Sequence, residues 1–468
     1  MTNAGTQPCA RCAELEKIVE DLLGRVAKLE AELAAAKKNS TNSSKPPSTD
    51  FIKKPKAKPK NGKKRKRGGQ PGHPKHERPL FPDDQVDYTD LHCVECPDCH
   101  GPVVPSRLPP KIIQQIELPR PSEMISITGV RSHPYWCKKC KQVHYAPFDE
   151  ATSRAGLFDT RLTALIAYLK SACHCSYSTI RKFIRDVIGI TVSRGYLAKL
   201  IAKASDSLSD AYEALAKRLP TEPRLNVDET SHKNNKERMW TWCFRASLFT
   251  LFKIDASRGS DVLVTMLGEE FNGILGCDYF SAYRKYMKDF NVLVQFCLAH
   301  FLRDVRFLVD HPNTRNQAYG KRVLDRLRAL FAVIHRREEF SEVAFQTHLE
   351  NAGDELWAEV LYRVPNTKEA KNLAKRFEKH GESYLRFITT PGIEPTNNLA
   401  EQAIRFVVID RKVTQGTRST TGQRWLERIW TAIATCTQTG RSVFDFLHES
   451  ISAHFAGEPK PELIPNTS

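Results

Sequence analysis

The chain has little of what secreted and membrane proteins need. Its longest apolar-rich run, Phe290 to Leu302, covers 13 residues and is interrupted by Gln295 and His300. That is too short to cross a bilayer. The first thirty residues carry charge throughout, so no secretory signal is expected. Its 13 cysteines are odd in number, which argues against a disulfide framework and for reduced thiols or metal ligands. Acidic residues are in deficit, with 54 Asp and Glu against 71 Lys and Arg, a formal charge of +17. Hydrophobic residues still reach 40%, which excludes whole-chain disorder. At roughly 150 residues per domain, 468 residues suggest about three domains. The expectation is a reduced cytoplasmic protein with a polyanionic partner and no membrane contact.

The basic excess has one main location. Residues 51–80 hold twelve Lys and Arg, among them Lys63, Lys64, Arg65, Lys66 and Arg67, against one Glu. That net +11 leaves only +6 for the other 438 residues. Five prolines and four glycines in the same stretch predict a disordered basic linker over 39–85, able to neutralise phosphates without sequence preference. A solvated linker that binds nothing has the same composition. Before it, Val19, Val26 and Leu33 alternate with Leu15, Leu22 and Leu29 as a and d positions of a heptad. This predicts a short coiled-coil helix over 12–38 that assists parallel dimerisation. A lone amphipathic helix packing on its own protein is the alternative.

After the linker, Cys96-x-x-Cys99 and Cys137-x-x-Cys140 have the spacing of four thiolates around a structural Zn²⁺. With strand-like segments at 112–116 and 125–128, they predict a zinc ribbon over 86–150. Cys93 repeats the spacing with Cys96, but the Pro-x-Cys-x-Gly context favours Cys96 and Cys99. Residues 157–220 read as all-α. One apolar face holds Ile180, Phe183, Ile184 and Val187; Gly189 interrupts it, and Ser193 caps a helix through Leu197, Leu200 and Ile201. This is the skeleton of a helix-turn-helix, with Arg194 and Lys199 placed to reach DNA. A plain helical hairpin shares the pattern.

From residue 223 strands alternate with helices, predicting a mixed α/β sheet. Leu225 to Thr230 reads as a short strand ending in Asp228 and Glu229, and Gly273 to Asp278 as a second strand ending in a carboxylate. Neighbouring strands lie about 4.8 Å apart, so two such ends can bring carboxylates together around a hard cation such as Mg²⁺ or Mn²⁺. Residues 228 and 229 point to opposite faces, so only one of them can serve the site. Glu401 follows Asn397-Asn398, where Asn398 and Glu401 also fit a helix-capping arrangement. Beyond it lie Arg405, Arg411, Lys412, Arg418, Arg424 and Arg428, candidates for gripping phosphates.

Several of these motifs occur together in one known family. The zipper, Asn-Ser-Ser-Lys-Pro-Pro at 42–47, Gly68-Gly-Gln-Pro-Gly-His73, the paired cysteines, Val227-Asp-Glu-Thr230, Cys297-Leu-Ala-His300 and Asn397-Asn-Leu-Ala-Glu401 through Arg405 stand in that order. The chain resembles the insertion-sequence-66 family of bacterial transposases over nearly its whole length. The resemblance implies a multidomain protein ending in a ribonuclease-H-like catalytic core at 223–302 and 391–450, with a helical insertion at 303–390 and a tail at 451–468. It implies Asp228, Asp278 and Glu401 as the catalytic, Mg²⁺-binding set, choosing Asp228 over Glu229. It further implies metal-dependent cleavage of element ends and strand transfer into double-stranded target DNA, a homo-oligomer, accessory proteins of the same element, and a bacterial, nucleoid-associated location. Cys297 and His300 are left without a metal role. Thr396 and Gln402 depart from the common family residues Asp and Arg. The competing reading is a DNA-binding protein without catalysis, a regulator or decayed transposase.

Overall fold

The computed structural model describes residues 10–39, 42, 82–85, 134–137, 142–145 and 148–464. The chain divides into two units, residues 1–52, 130–186 and 190–468 in one and residues 53–129 with 187–189 in the other. In the smaller unit, Asp83–Gln85 forms a single helical turn. The helices and strands described below belong to the larger unit. Lys63 to Arg67, Cys96, Cys99, Cys140 and the side chain of Cys137 lie outside the described residues, as do the strands expected at 112–116 and 125–128. For Cys137 the backbone alone is described. It ends β1 (Pro134–Cys137), which pairs antiparallel with β2 (Gln142–Tyr145), Cys137 opposite Gln142.

The zipper sequence forms one helix, α1 (Ala10–Ala36). All six heptad residues are exposed, Leu29 at 63%. Near its C-terminal end the helix meets its own protein, with Asn313 Nδ2 donating to Glu30 Oε2 at 3.1 Å. Asn42 likewise donates to Asp310 at 3.2 Å.

Five further α-helices precede the sheet, and polar caps decide where four of them start. α2 (Glu150–Ala155) starts at Asp149, α3 (Thr160–Ser171) at Asp159 and α4 (Tyr177–Phe183) at Ser176. Ser193 caps α5 (Arg194–Ser207) as its sequence predicts, accepting from the Tyr196 amide. α6 (Ser209–Arg218) leads to the sheet.

The sheet runs β5–β4–β3–β6–β7. β3 (Arg224–Asn234), β4 (Glu237–Arg245) and β5 (Thr250–Asp255) form an antiparallel meander. Its first turn is Asn235-Lys236, both at positive φ, the two-residue geometry that matches the twist of a hairpin. β6 (Ile274–Cys277) and β7 (Leu293–Phe296) add in parallel on the other side of β3. The parallel crossovers are α7 (Ser260–Leu267) before β6 and α8 (Ser281–Phe290) after it.

After β7 come the four long helices of the insertion, α9 (Leu298–Val309), α10 (Thr314–His335), α11 (Glu342–Leu361) and α12 (Lys368–Thr389). Leu324, Leu327, Leu373 and Phe377 are buried within it as their spacing predicts, whereas Phe331 and Ile334 are only half-buried. α12 returns to cover the β7 edge. Gln295 accepts from the Phe387 amide and donates to the Tyr384 carbonyl, both at 2.8 Å.

The chain closes with α13 (Asn398–Thr414), α14 (Thr420–Thr439) and α15 (Val443–Ala456). α14 covers the opposite edge by a side-chain ladder. Glu427, Thr431 and Thr435 accept from the backbone amides of Ile254, Phe252 and Thr250 at 2.7, 3.0 and 3.2 Å. Four helical residues rise about 6 Å and two strand residues about 6.8 Å, so the two repeats stay nearly in step. An edge strand is thereby closed to pairing with another chain. α14 and α15 also pack on α5, and Arg428 donates to the Ser205 carbonyl at 3.0 Å. No described helix is long and apolar enough to cross a membrane.

Candidate active site

β3 does not end at its acids, as its sequence suggests; it continues six residues beyond Asp228 because β4 stays paired with it to Asn234. The parallel pairing with β6 stops sooner, at Asn226 opposite Gly276. Two residues further on each side stand Asp228 and Asp278. Both acids therefore lie at the same height, where neighbouring parallel strands part and side chains can converge. Asp278 does not cap α8. Its Oδ1 accepts from the Phe280 amide at 2.9 Å, a tight turn that fixes the carboxylate at the strand end.

Glu401 reaches these acids through Asn397, not through the capping pair Asn398 and Glu401. Asn397 is almost fully buried and makes no side-chain cap. Its Nδ2 donates to the Val227 carbonyl at 2.8 Å, its Oδ1 accepts from Asn226 at 2.9 Å, and its backbone amide donates to Cys297 Sγ at 3.2 Å. The start of α13 is thus pinned to β3 one residue before Asp228. Gly276 makes room for this, since a Cβ there would stand 2.5 Å from Asn226 Nδ2.

Asp228 and Glu229 occupy opposite faces of β3 and meet opposite treatment. Tyr283 donates its hydroxyl to Glu229, and Arg258 pairs with it at 2.7 Å. Burial raises the Glu229 pKa and the charge of Asp278 adds to the rise, while Tyr283 and Arg258 oppose it. Asp228 has no cationic partner among the described residues. Burial lifts its carboxyl well above the usual range, and the charges of Glu229, Asp278 and Glu401 push the same way. Asp278 is raised by burial too, opposed by the Phe280 amide and Arg258, with Glu401 and Asp304 adding to the rise. Carboxylates buried together raise one another's pKa unless a cation joins them.

On its other side Glu401 faces α9. His300 Nδ1 is 3.7 Å from Glu401 Oε1, and Arg303 Nη2 is 3.6 Å from Oε2. Burial and the charges of Arg303 and Arg376 push the His300 pKa down to about 4. Cys297, His300 and Glu401 present ligand-type atoms within 4.8 Å of one another. Arg303 was not among the residues singled out from sequence, and Asn397 stood there only as part of the motif that leads to Glu401. The signal for Arg303 was its three-residue offset from His300, which puts both on one helix face.

The basic residues expected to grip phosphates divide. Arg194, Lys199, Arg405, Lys412 and Arg418 are exposed. Arg411 is occupied inside the fold, donating to Thr230 Oγ1 and Ser231 Oγ at 3.1 and 3.0 Å. Arg424 pairs with Glu427 at 2.7 Å, and Arg428 holds α5. Trp425 is buried in the core.

Residues 155–424 match the Transposase IS66 family. Residues 7–79 match a family of unknown function, DUF6444. A curated relative, "Uncharacterized protein y4qI" of Sinorhizobium fredii (strain NBRC 101917 / NGR234), is 25% identical over 344 residues, which cover 66% of this chain. The same alignment spans 62% of the relative's length.

Proposed function

The chain belongs to the IS66 family of transposases, and on that premise we propose that it cuts the ends of a mobile element and joins them to target DNA. What supports this reading is that Asp228 and Asp278 each stand two residues past the last β3–β6 pairing, that the charge of Glu401 acts on both, and that Asn397 anchors the start of α13 to β3. A mixed sheet with its central acid on β3 supports a ribonuclease-H-like core. The donor set fits a hard divalent cation, because it is all carboxylate oxygen and because burial, with neighbouring acids adding to it, raises the pKa of Asp228 and Asp278. Mg²⁺ or Mn²⁺ held by these three residues would activate water or a DNA 3′-hydroxyl and stabilise the leaving 3′ oxygen. The protein supplies no covalent nucleophile. Asp228 and Asp278 are fixed by strand backbone, and Glu401 by the start of α13.

The remaining parts bind and assemble. Arg194 and Lys199 face solvent on α5 as a reading helix requires, and Arg405 and Lys412 do so on α13. The basic linker with Lys63 to Arg67 contributes salt-sensitive phosphate contacts. Cys96, Cys99, Cys137 and Cys140 hold a structural Zn²⁺. The exposed heptad stripe of α1 meets a second copy of the chain, and accessory proteins of the element complete the assembly on the nucleoid.

The test incubates purified protein with labelled element ends, a target plasmid and Mg²⁺. Joined products are expected, and Asp228→Ala is expected to abolish them. Products that persist in that variant would end the assignment. Protein that binds element ends but never cuts them would favour the non-catalytic reading.

A further inference from the structure

His300 and Arg303 share one face of α9 and bracket the Glu401 carboxylate. Arg303 Nη1 lies 3.1 Å from His300 Nε2. A guanidinium has donors only, so Nε2 accepts and the ring proton resides on Nδ1. That nitrogen faces Glu401 Oε1 at 3.7 Å, beyond hydrogen-bond reach. Both atoms are buried without a hydrogen-bond partner among the described residues. A buried donor and a buried acceptor left facing each other each lack the bond that would offset their burial. A closure of less than about 1 Å satisfies both.

A protonated Nδ1 cannot ligate a metal, and the Arg303 charge stands beside it. The grouping of Cys297, His300 and Glu401 is therefore a poor cation site despite its ligand types. Cys297 already has a structural task, accepting from the Asn397 amide. Resting on the reading of Glu401 as a metal-binding carboxylate, we infer that His300 is its positioning residue. Nδ1–H takes Oε1 and turns Oε2 toward the ion, while Arg303 fixes the ring in the tautomer that can do so. Hydrogen bonds of this kind orient ligating carboxylates, and losing one typically weakens metal binding by about 10–100-fold.

The test measures Mn²⁺ binding to the full chain by electron paramagnetic resonance, with affinity for element-end DNA measured in parallel. His300→Ala is expected to weaken Mn²⁺ binding by about 10–100-fold and to leave DNA affinity unchanged. His300→Asn, whose amide can donate from near the Nδ1 position, is expected to recover most of the loss. Wild-type Mn²⁺ binding in His300→Ala, with Glu401→Gln deficient, would overturn the positioning role and spare the carboxylate reading. Wild-type binding in Glu401→Gln as well would remove both. Two measurements need no His300 variant that folds. Nitrogen-15 spectra of histidine-labelled protein should show a neutral His300 ring protonated at Nδ1, and protonation at Nε2 would refute the inference. A Cd²⁺–thiolate absorption band that disappears in Cys297→Ser would also refute it, by making the group a soft-metal site.

Discussion

The sheet treats buried carboxylates in opposite ways at two places. Along the β5 edge, Glu427 is fully buried and fully answered. It accepts from the Ile254 amide at 2.7 Å, pairs with Arg424 at 2.7 Å and meets Lys253 at 3.3 Å. Where β3 and β6 part, Asp228 has, among the described residues, only the Glu229 amide at 2.9 Å as a hydrogen-bond donor and otherwise meets the charge of other acids. The first arrangement locks a helix onto a strand. The second costs the fold stability unless something positive arrives, and uncompensated burial of like charges marks a functional site more reliably than burial alone. Glu229, buried beside Asp228 and neutralised by Arg258 and Tyr283, repeats the contrast within one dipeptide.

The comparison breaks most visibly in activity. Replacing Asp228 or Glu401 by its amide is expected to lower strand cleavage at least about a thousand-fold, ~4 kcal/mol of barrier, in a gel assay of end cutting. Glu427→Gln is expected to leave the cutting step intact in molecules that fold. Its effect falls on stability instead, with a loss of about 3–5 kcal/mol as two cations lose their buried partner, read from denaturant midpoints. Equal cleavage defects in the two classes of variant would erase the distinction.

A third effect separates the two by pH. His232 lies on β3, four residues after Asp228, buried with Nε2 3.2 Å from Thr417 Oγ1. Burial, aided by Arg411, lowers its pKa to about 4 from the ordinary 6.5. The folded state then binds fewer protons than the unfolded chain between those values. Its contribution is complete above pH ~6.5 and is lost on acidification toward pH ~4, roughly 3 kcal/mol in all. Asp228 and Asp278 run the other way, since their raised folded pKa values favour proton uptake by the native state. Unfolding free energies from pH 4 to 7 should show the His232 slope in the wild type and its absence in His232→Gln. An unchanged slope would place the linkage elsewhere.

Much of this was legible from local pattern. The strands of the mixed sheet, the Ser193 cap and the helices of the insertion follow from apolar spacing and cap chemistry. Both aspartates stood out as acids next to buried strands. What spacing could not supply was register. That Asp228 lies mid-strand depends on how far β4 stays paired, a tertiary fact. Nor could it tell Asn397 from Asn398, because a capping residue and a residue pinned to a strand carry the same amide. Arg411, Arg424 and Arg428 looked equivalent to Arg405, yet Arg411 and Arg428 have partners distant in sequence, and Arg424 pairs with a glutamate that is itself locked onto β5. Basic residues of one segment are sorted into structural and available ones only by what folds against them.

The smallest expected effect is the most discriminating. Asp228→Asn removes a buried negative charge that Glu229, Asp278 and Glu401 repel, and it keeps the side-chain volume. Without divalent metal the variant should be slightly more stable than the wild type, because that repulsion is relieved. With Mg²⁺ the order should reverse, because only the wild type gains stability by binding the ion in its folded state. Glu427→Gln should be destabilised in both conditions by the same amount. Thermal melts of the three proteins with Mg²⁺ or with chelator provide the comparison. If Asp228→Asn loses stability under chelation, Asp228 is a structural acid like Glu427, and the two regions differ in location only.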